Sequence, residues 1–405
     1  MTQLETQAEE ILRIAAKGDG VTATGRHASF AAPGDMLMPD GSIERGPHHA
    51  EPPCRHFGKC GGCQLQHCDE QALINFVRDR VAFAAQSQGL DPQIVVPPAM
   101  SPPSSRRRVS LRAINSGGRP LIGFNAAGSH KLVDLAECPV MLPELFALIA
   151  PLRGYFARVK GRYTIDIEIA RVDQGVDCAL KGFAPEGLDQ TEELLEFCRE
   201  NGLARLTLDQ GYGPEGFWEP EPITVTLGGI AVAFPFGSFM QATDHGEKTL
   251  VSAAQEWLAD CGHIADLFSG LGTFAFSLAK GRKILAVEAD RAAILACRSA
   301  ANAARLQLET SHRDLFRNPL RAKELAGFDG VLIDPPRAGA RTQIEQIAAS
   351  TVERVVYISC NPSSWSRDCT LLASAGYELR ELRPVGQFRW STHVELASLF
   401  IKRAD

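Results

Sequence analysis

Past Phe239 the sequence alternates short apolar strands with helical segments, and that alternation admits few folds. It points to a doubly wound, mostly parallel sheet, α/β in class. A helix is expected over 243–260, capped by Thr243 or Asp244. The stretch Ile264-Ala-Asp266-Leu-Phe-Ser-Gly270-Leu-Gly272-Thr-Phe-Ala-Phe-Ser-Leu-Ala279 then reads as strand, glycine turn and helix. The glycines let backbone approach a ligand closely at a helix N-terminus. Strand Ile284-Leu-Ala-Val-Glu288 ends in an acid about twenty residues beyond that turn, where a carboxylate can take both hydroxyls of a ribose. Gly270-Leu-Gly272-Thr-Phe-Ala275 also fits a dinucleotide fingerprint. Asp266 decides against it, because a carboxylate there would repel a diphosphate and can hold an ammonium. S-adenosylmethionine carries such a group, so methyl transfer is the expected chemistry.

Two further strands end in reactive side chains. Gly330-Val-Leu-Ile-Asp334 runs into Pro335-Pro336-Arg337, and two prolines stiffen the loop and leave Asp334 facing the crevice. Val355-Val-Tyr-Ile-Ser-Cys-Asn-Pro362 is β-branched and apolar, and Pro362 stops the strand with Cys360 at its carboxyl end. Ligands of open α/β sheets bind outside those ends, where a thiol can act as a nucleophile. Taken alone, Cys360 would read as a small buried hydrophobe, as most free cysteines do. His393 and Glu395 share one face of a terminal strand. A carboxylate in so apolar a stretch is either salt-bridged or a base, and Glu395 is the candidate base.

Eleven cysteines raise the question of disulfides, and most of them show no shared spacing. The exception is Cys54-Arg-His-Phe-Gly-Lys-Cys60-Gly-Gly-Cys63, which can fold around one metal centre. Cys138, followed by proline, is the best fourth ligand. An iron–sulfur cluster and zinc both remain open, and under zinc Cys68 or His67 could substitute.

At 405 residues two or three domains are expected. The first seventeen residues lack a basic, then apolar leader and no run is long enough to span a membrane, so a cytoplasmic protein is expected. Basic residues number 42 against 48 acidic ones. A nucleic-acid site must therefore be a local patch. Turn signals crowd residues 1–50 and suggest a small β-barrel. Residues 51–235 carry the cysteine loop, a helix over 68–88 free to pack on the catalytic domain, and alternating strands of a mostly antiparallel β domain. In Ser104-Ser-Arg-Arg-Arg-Val-Ser-Leu-Arg112, phosphate contact and a solvated charge run are about equally expected. Residues 236–405 form the catalytic domain.

Asp266-Leu-Phe-Ser-Gly-Leu-Gly272, Asp334-Pro-Pro-Arg-Ala-Gly339, Tyr357-Ile-Ser-Cys-Asn-Pro362 and His393-Val-Glu395 together resemble the RNA 5-methyluridine (uracil-C5) methyltransferase family. The resemblance implies a Rossmann-like, class I S-adenosylmethionine-dependent methyltransferase domain. Residues 17–34 resemble the TRAM module, an OB-like RNA-binding barrel. The set Cys54, Cys60, Cys63 and Cys138 resembles the 4Fe–4S ligands of ribosomal-RNA members. By family motif Gln241, Phe268, Thr273, Glu288, Asp314 and Asp334 surround the cofactor, Cys360 adds to uracil C6, and Glu395 removes the C5 proton. Thr273 and Asp314 stand where relatives often have asparagine. Gly386-Gln-Phe-Arg-Trp390 replaces the usual Asp-Met-Phe-Pro. The implied partner is RNA, large-subunit ribosomal RNA ahead of tRNA, with no membrane and no obligate protein partner. Two competing readings are an exocyclic-amine methyltransferase, which Arg337 and Cys360 argue against, and a non-catalytic iron–sulfur RNA-binding protein, which would not need both Cys360 and Glu395.

Overall fold

The computed structural model describes residues 7–91, 94–115 and 117–403. The first six residues of the N-terminal module and the last two of the catalytic domain lie outside that set. Strands β1 (Glu9–Ile14), β2 (Gly20–Thr22), β3 (His27–Ala28), β4 (Met36–Leu37) and β5 (Ile43–Glu44) form one curled sheet in the order β3-β2-β1-β4-β5. Its own core is only Ile11, Ala28, Ala31 and Leu37. So small a unit needs outside support. Ile14, Ala32 and Leu65 supply it by packing into the catalytic domain's core.

Helix α1 (Glu70–Gln86), capped by Asp69, follows the cysteine loop and buries Leu73, Phe76, Val77 and Val81. Those residues pack against the catalytic sheet, and β6 (Ala99–Met100) adds a parallel strand to that sheet's edge. The central sheet contains β7 (Arg108–Asn115), β8 (Leu121–Asn125), β9 (Leu132–Asp134), β10 (Tyr163–Val172), β11 (Gly175–Lys181), β12 (Leu203–Asp209) and β13 (Pro214–Trp218), ordered β13-β12-β11-β10-β7-β8-β9. It is antiparallel except for β11–β12. That pair needs a crossover, which α4 (Gly187–Glu200) provides after α2 (Pro143–Ala147) and α3 (Ile149–Phe156).

The arginine run is drawn largely into structure. Arg107 is ion-paired with Asp244 and Glu247 and donates from Nε to the Gln241 carbonyl at 2.9 Å. Arg112 pairs with Asp166 at 2.7 Å, and Arg108 lies over the exposed Phe239 ring. These acids are distant in sequence, so local charge counting could not find them.

The hairpin β14 (Thr224–Leu227) and β15 (Ile230–Ala233) leads into α5 (Asp244–Trp257), β16 (His263–Leu267), α6 (Thr273–Leu278), β17 (Lys283–Glu288), α7 (Arg291–Ala303) and β18 (Leu308–His312). Then follow β19 (Gly330–Ile333), α8 (Arg341–Ala348), β20 (Arg354–Ser359), α9 (Pro362–Ser374), β21 (Tyr377–Gly386) and β22 (Glu395–Lys402). The sheet order is β18-β17-β16-β19-β20-β22-β21-β6, parallel from β18 to β20, with β22 running the other way. Alternate strand residues face opposite cores, as the pleat requires. Ile264, Ala286, Leu332 and Val356 meet α5–α7 and the hairpin, whereas Ala265, Val287, Val331 and Val355 meet α1, α8 and α9.

Candidate active site and cysteine pocket

The order of strands reverses between β16 and β19, which opens a crevice at the carboxyl edge of the sheet. Glu288 ends β17, Asp266 and Phe268 flank the end of β16, and Asp334 follows β19. Cys360 follows β20. Because β22 is antiparallel, its first residue, Glu395, stands at this same edge. Strand register alone thus gathers carboxylates and a thiol that are up to 129 positions apart.

The cofactor-side residues differ in how they are held. Glu288 accepts the N–H groups of Gly270 at 2.9 Å, Ala289 at 2.7 Å and Asp290 at 2.8 Å, which draws the glycine turn onto β17. Gly272 caps α6 at φ +96°, and a Cβ there would stand 2.9 Å from both Cys297 Sγ and the Phe276 ring. Thr273 is the first helical residue behind it. Phe268 holds a left-handed φ of 61°, uncommon without glycine, and its ring centre lies 5.3 Å from that of Phe316. Asp314 caps its own turn through the Phe316 N–H at 3.0 Å. Gln241 is buried and accepts from Gln387 Nε2 at 2.9 Å.

Asp266 is the least satisfied group at the edge. It is fully buried, and neither carboxylate oxygen has a hydrogen-bond partner of normal geometry. Burial pushes its pKa well up, Asp334 adds to it, the Ala275 N–H opposes them, and Glu288 adds a smaller push upward. Asp334 keeps some accessible surface, yet protein atoms crowd it, and burial raises its pKa to about 7. Two carboxylates short of counter-charge make a cation site. The ammonium of S-adenosylmethionine fits that need.

At the other end of the crevice, burial raises the Cys360 thiol, and Glu395 and Asp334 add to it, while Arg337 opposes them. Burial likewise lifts Glu395 to about 8, helped by Asp334 and countered by the Gln387 side chain and Arg337. Arg337 Nη2 donates to His393 Nδ1 at 3.0 Å, and burial together with Arg337 keeps that imidazole below its ordinary pKa. Asn361 Nδ2 donates to the Arg337 carbonyl at 2.9 Å, joining the Cys360 loop to the Asp334 loop. A thiol, a carboxyl group and a guanidinium thereby meet at one sheet edge.

The four candidate ligands Cys54, Cys60, Cys63 and Cys138 line a second cavity, with Arg106 and Gly62 among its walls. None is in a disulfide, and Cys138 is near enough to add to the rise in the pKa of Cys54, Cys60 and Cys63. Burial lifts Cys63 to about 12. Among the described residues no three His, Cys, Asp or Glu side chains could hold a single metal ion. Cys68 instead joins the catalytic core, and His67 packs against the Phe30, Phe57 and His49 rings. The donor set is four thiols lining one cavity, a chemistry that fits either an iron–sulfur cluster or zinc.

Three contributors escaped the sequence reading. Asp368 is buried on α9 and accepts from Tyr357 Oη at 2.6 Å and from the Ala340 N–H at 2.8 Å, pinning the loop after Asp334. Its signal was a lone acid on an apolar helix face between Trp365 and Leu372. Arg106 stacks over Phe388, 5.3 Å from the ring centre, and Gln387 bridges toward Gln241. Arg106 was read only as part of the basic run, and Gln387 only within a departure from a motif.

A family model described as tRNA (uracil-5-)-methyltransferase matches residues 230–403. An uncharacterized RNA methyltransferase of Zymomonas mobilis is 46% identical over 97% of this chain and 100% of its own length. The 23S rRNA (uracil(1939)-C(5))-methyltransferase RlmD of Shewanella denitrificans is 30% identical, over 88% of this chain and 84% of its own. In fold, the chain resembles the Pyrococcus abyssi tRNA (uracil-54, C5)-methyltransferase solved with S-adenosyl-L-homocysteine. The TM-score is 0.77 at 23% identity, covering 97% of this chain and 99% of that one. The catalytic half is therefore a Rossmann-like methyltransferase domain, and the chain belongs to the tRNA (uracil-5-)-methyltransferase family of RNA methyltransferases.

Proposed function

We propose that this enzyme methylates C5 of a uracil in RNA through a covalent Cys360–C6 adduct, with 23S ribosomal RNA as the substrate. The observation that carries the chemistry is the meeting of Cys360 and Glu395 at one sheet edge, where Glu395 adds to the rise in the Cys360 pKa. Uracil C5 is too weak a nucleophile unaided. Addition of the Cys360 thiolate to C6 makes C5 an enolate-like carbon. S-adenosylmethionine supplies the methyl group, with Asp266 and Asp334 facing its positive charge and Gln241, Phe268, Thr273, Glu288 and Asp314 around it. Glu395 then takes the C5 proton, and Cys360 leaves. The base must be turned out of its stack or come from a loop. The RlmD relative's name favours ribosomal RNA, while the archaeal fold relative's name keeps tRNA as the second reading.

In the same reading Cys54, Cys60, Cys63 and Cys138 hold a 4Fe–4S cluster with a structural role. Residues 1–50 are an RNA-contacting module, 51–235 the central domain and 236–405 the methyltransferase domain. The enzyme works in the cytoplasm. Among the described residues no helix is long and apolar enough to cross a membrane.

The test is methyl transfer to unmodified ribosomal RNA and tRNA transcripts, with the product read by mass spectrometry. Activity on one RNA that Cys360→Ala abolishes and Glu395→Gln traps as a protein–RNA adduct is the expected result. Full activity of Cys360→Ala, or a product that is not a C5-methylated uridine, would overturn the reading.

A further inference from the structure

Gln387 lies just past β21 and is 2% exposed. Its Nε2 donates to Gln241 Oε1 at 2.9 Å; Val385, two residues before it, pairs with Glu395 across β21–β22, and the Gln387 side chain favours the ionised form of that carboxylate. One amide nitrogen carries two N–H groups and so can serve two acceptors. In this orientation Gln387 Oε1 is buried without a hydrogen-bond partner among the described residues. The socket is shaped for the group: Gly246 on α5 faces it, and a Cβ there would stand 2.5 Å from Gln387 Oε1. Because Gln241 Oε1 accepts this bond, Gln241 must turn its own NH2 elsewhere.

We propose that Gln387 is a positioning residue for proton abstraction, its amide tying the Glu395 carboxylate to Gln241 on the cofactor wall and aiming it at the C5 proton. This rests on the uracil-C5 reading above. Burial and then Asp334 disfavour the ionised form of Glu395, whereas Gln387 and Arg337 favour it. A hydrogen bond to a carboxylate stabilises the charged state, the only state that can accept a proton. In the step itself Glu395 takes the C5 proton. The C5–H electron pair re-forms the C5=C6 bond as the Sγ–C6 bond breaks, and Cys360 leaves as thiolate. A base that has lost Gln387 is ionised only at higher pH, so methyl transfer proceeds while release of the adduct stalls.

The experiment uses the full chain with a 23S ribosomal RNA transcript and the variants Gln387→Met and Gln387→Glu, the second keeping the shape if the first fails to fold. Single-turnover S-adenosylhomocysteine formation and adduct decay are followed separately against pH. Expected are a near-parental burst, a several-fold accumulation of adduct at neutral pH, and a decay profile displaced upward by about one pH unit in Gln387→Met and further in Gln387→Glu. An unchanged decay profile and adduct level in the folded variants overturns the proposal, even where the overall rate falls. A parent enzyme that forms no Cys360-dependent adduct on either ribosomal RNA or tRNA transcripts overturns the uracil-C5 reading, and the proposal with it.

Discussion

Asp266 and Asp334 set the pH behaviour of the cofactor site. Both are raised by burial, Asp334 to about 7, so below that pH Asp334 is largely protonated and cannot neutralise a cation. Affinity for S-adenosylhomocysteine, which keeps the ammonium, is expected to rise with pH and level off above about pH 7, by up to about tenfold per unit below it. Calorimetric titration between about pH 5 and pH 8 checks this, and a flat profile would contradict it. The same shifts bear on stability with the opposite sign. Folded Asp334 and Glu395 hold protons that the unfolded chain has already released above about pH 4.5. The protein without cofactor should therefore lose stability as pH rises from about 4.5 to about 8, and a melting series over that range reads it. Asp266, Asp334, Cys360 and Glu395 were all legible as candidates, because acids and a thiol at strand ends are costly unless used. Gln387 was visible only as a departure from a motif, since its partners lie at positions 241 and 395.

At the level of elements, the β16–α6 turn is the most constrained piece. Gly272→Ala forces a Cβ into the left-handed region and against Cys297 and Phe276. A loss of about 1–3 kcal/mol in denaturant unfolding is expected, with weaker cofactor binding. Strand β20 and the turn at Pro362 were legible because β-branched runs and proline act locally. Helix α1 was legible as a helix, but its packing was left open. Phe76→Ala tests that packing: its ring is buried against the catalytic core, so about 3–5 kcal/mol should be lost from unfolding of the catalytic domain. Loss confined to the central sheet would contradict it. The arginine run shows the converse limit. Its strand periodicity was plain, whereas the acids that neutralise Arg107 and Arg112 come from α5 and β10.

On the scale of the molecule, the cysteine loop joins the layers. Gly61 donates to the Asn125 carbonyl at 3.0 Å in the central domain, while Gln64 and Leu65 donate to the Trp390 carbonyl at 2.8 and 2.9 Å, a few residues before the candidate base Glu395. A cluster held by Cys54, Cys60, Cys63 and Cys138 would fix both attachments at once. Protein purified without oxygen should carry about four irons per chain. Their removal by a chelator, or Cys60→Ser, should lower the melting temperature and speed proteolysis at residues 387–393. Iron-free protein with unchanged melting and cleavage would separate the loop's fold from the metal.

The sequence by itself determined the α/β class, the strand-end acids, the Cys360 turn, the cysteine set and the family, because these rest on local periodicity, turn chemistry and residue type. Only the tertiary structure decided which acid lacks a partner, which arginines are neutralised, where α1 packs and how Gln387 reaches Glu395. Those outcomes depend on burial and on contacts between segments far apart in the chain, and neither is written in local sequence.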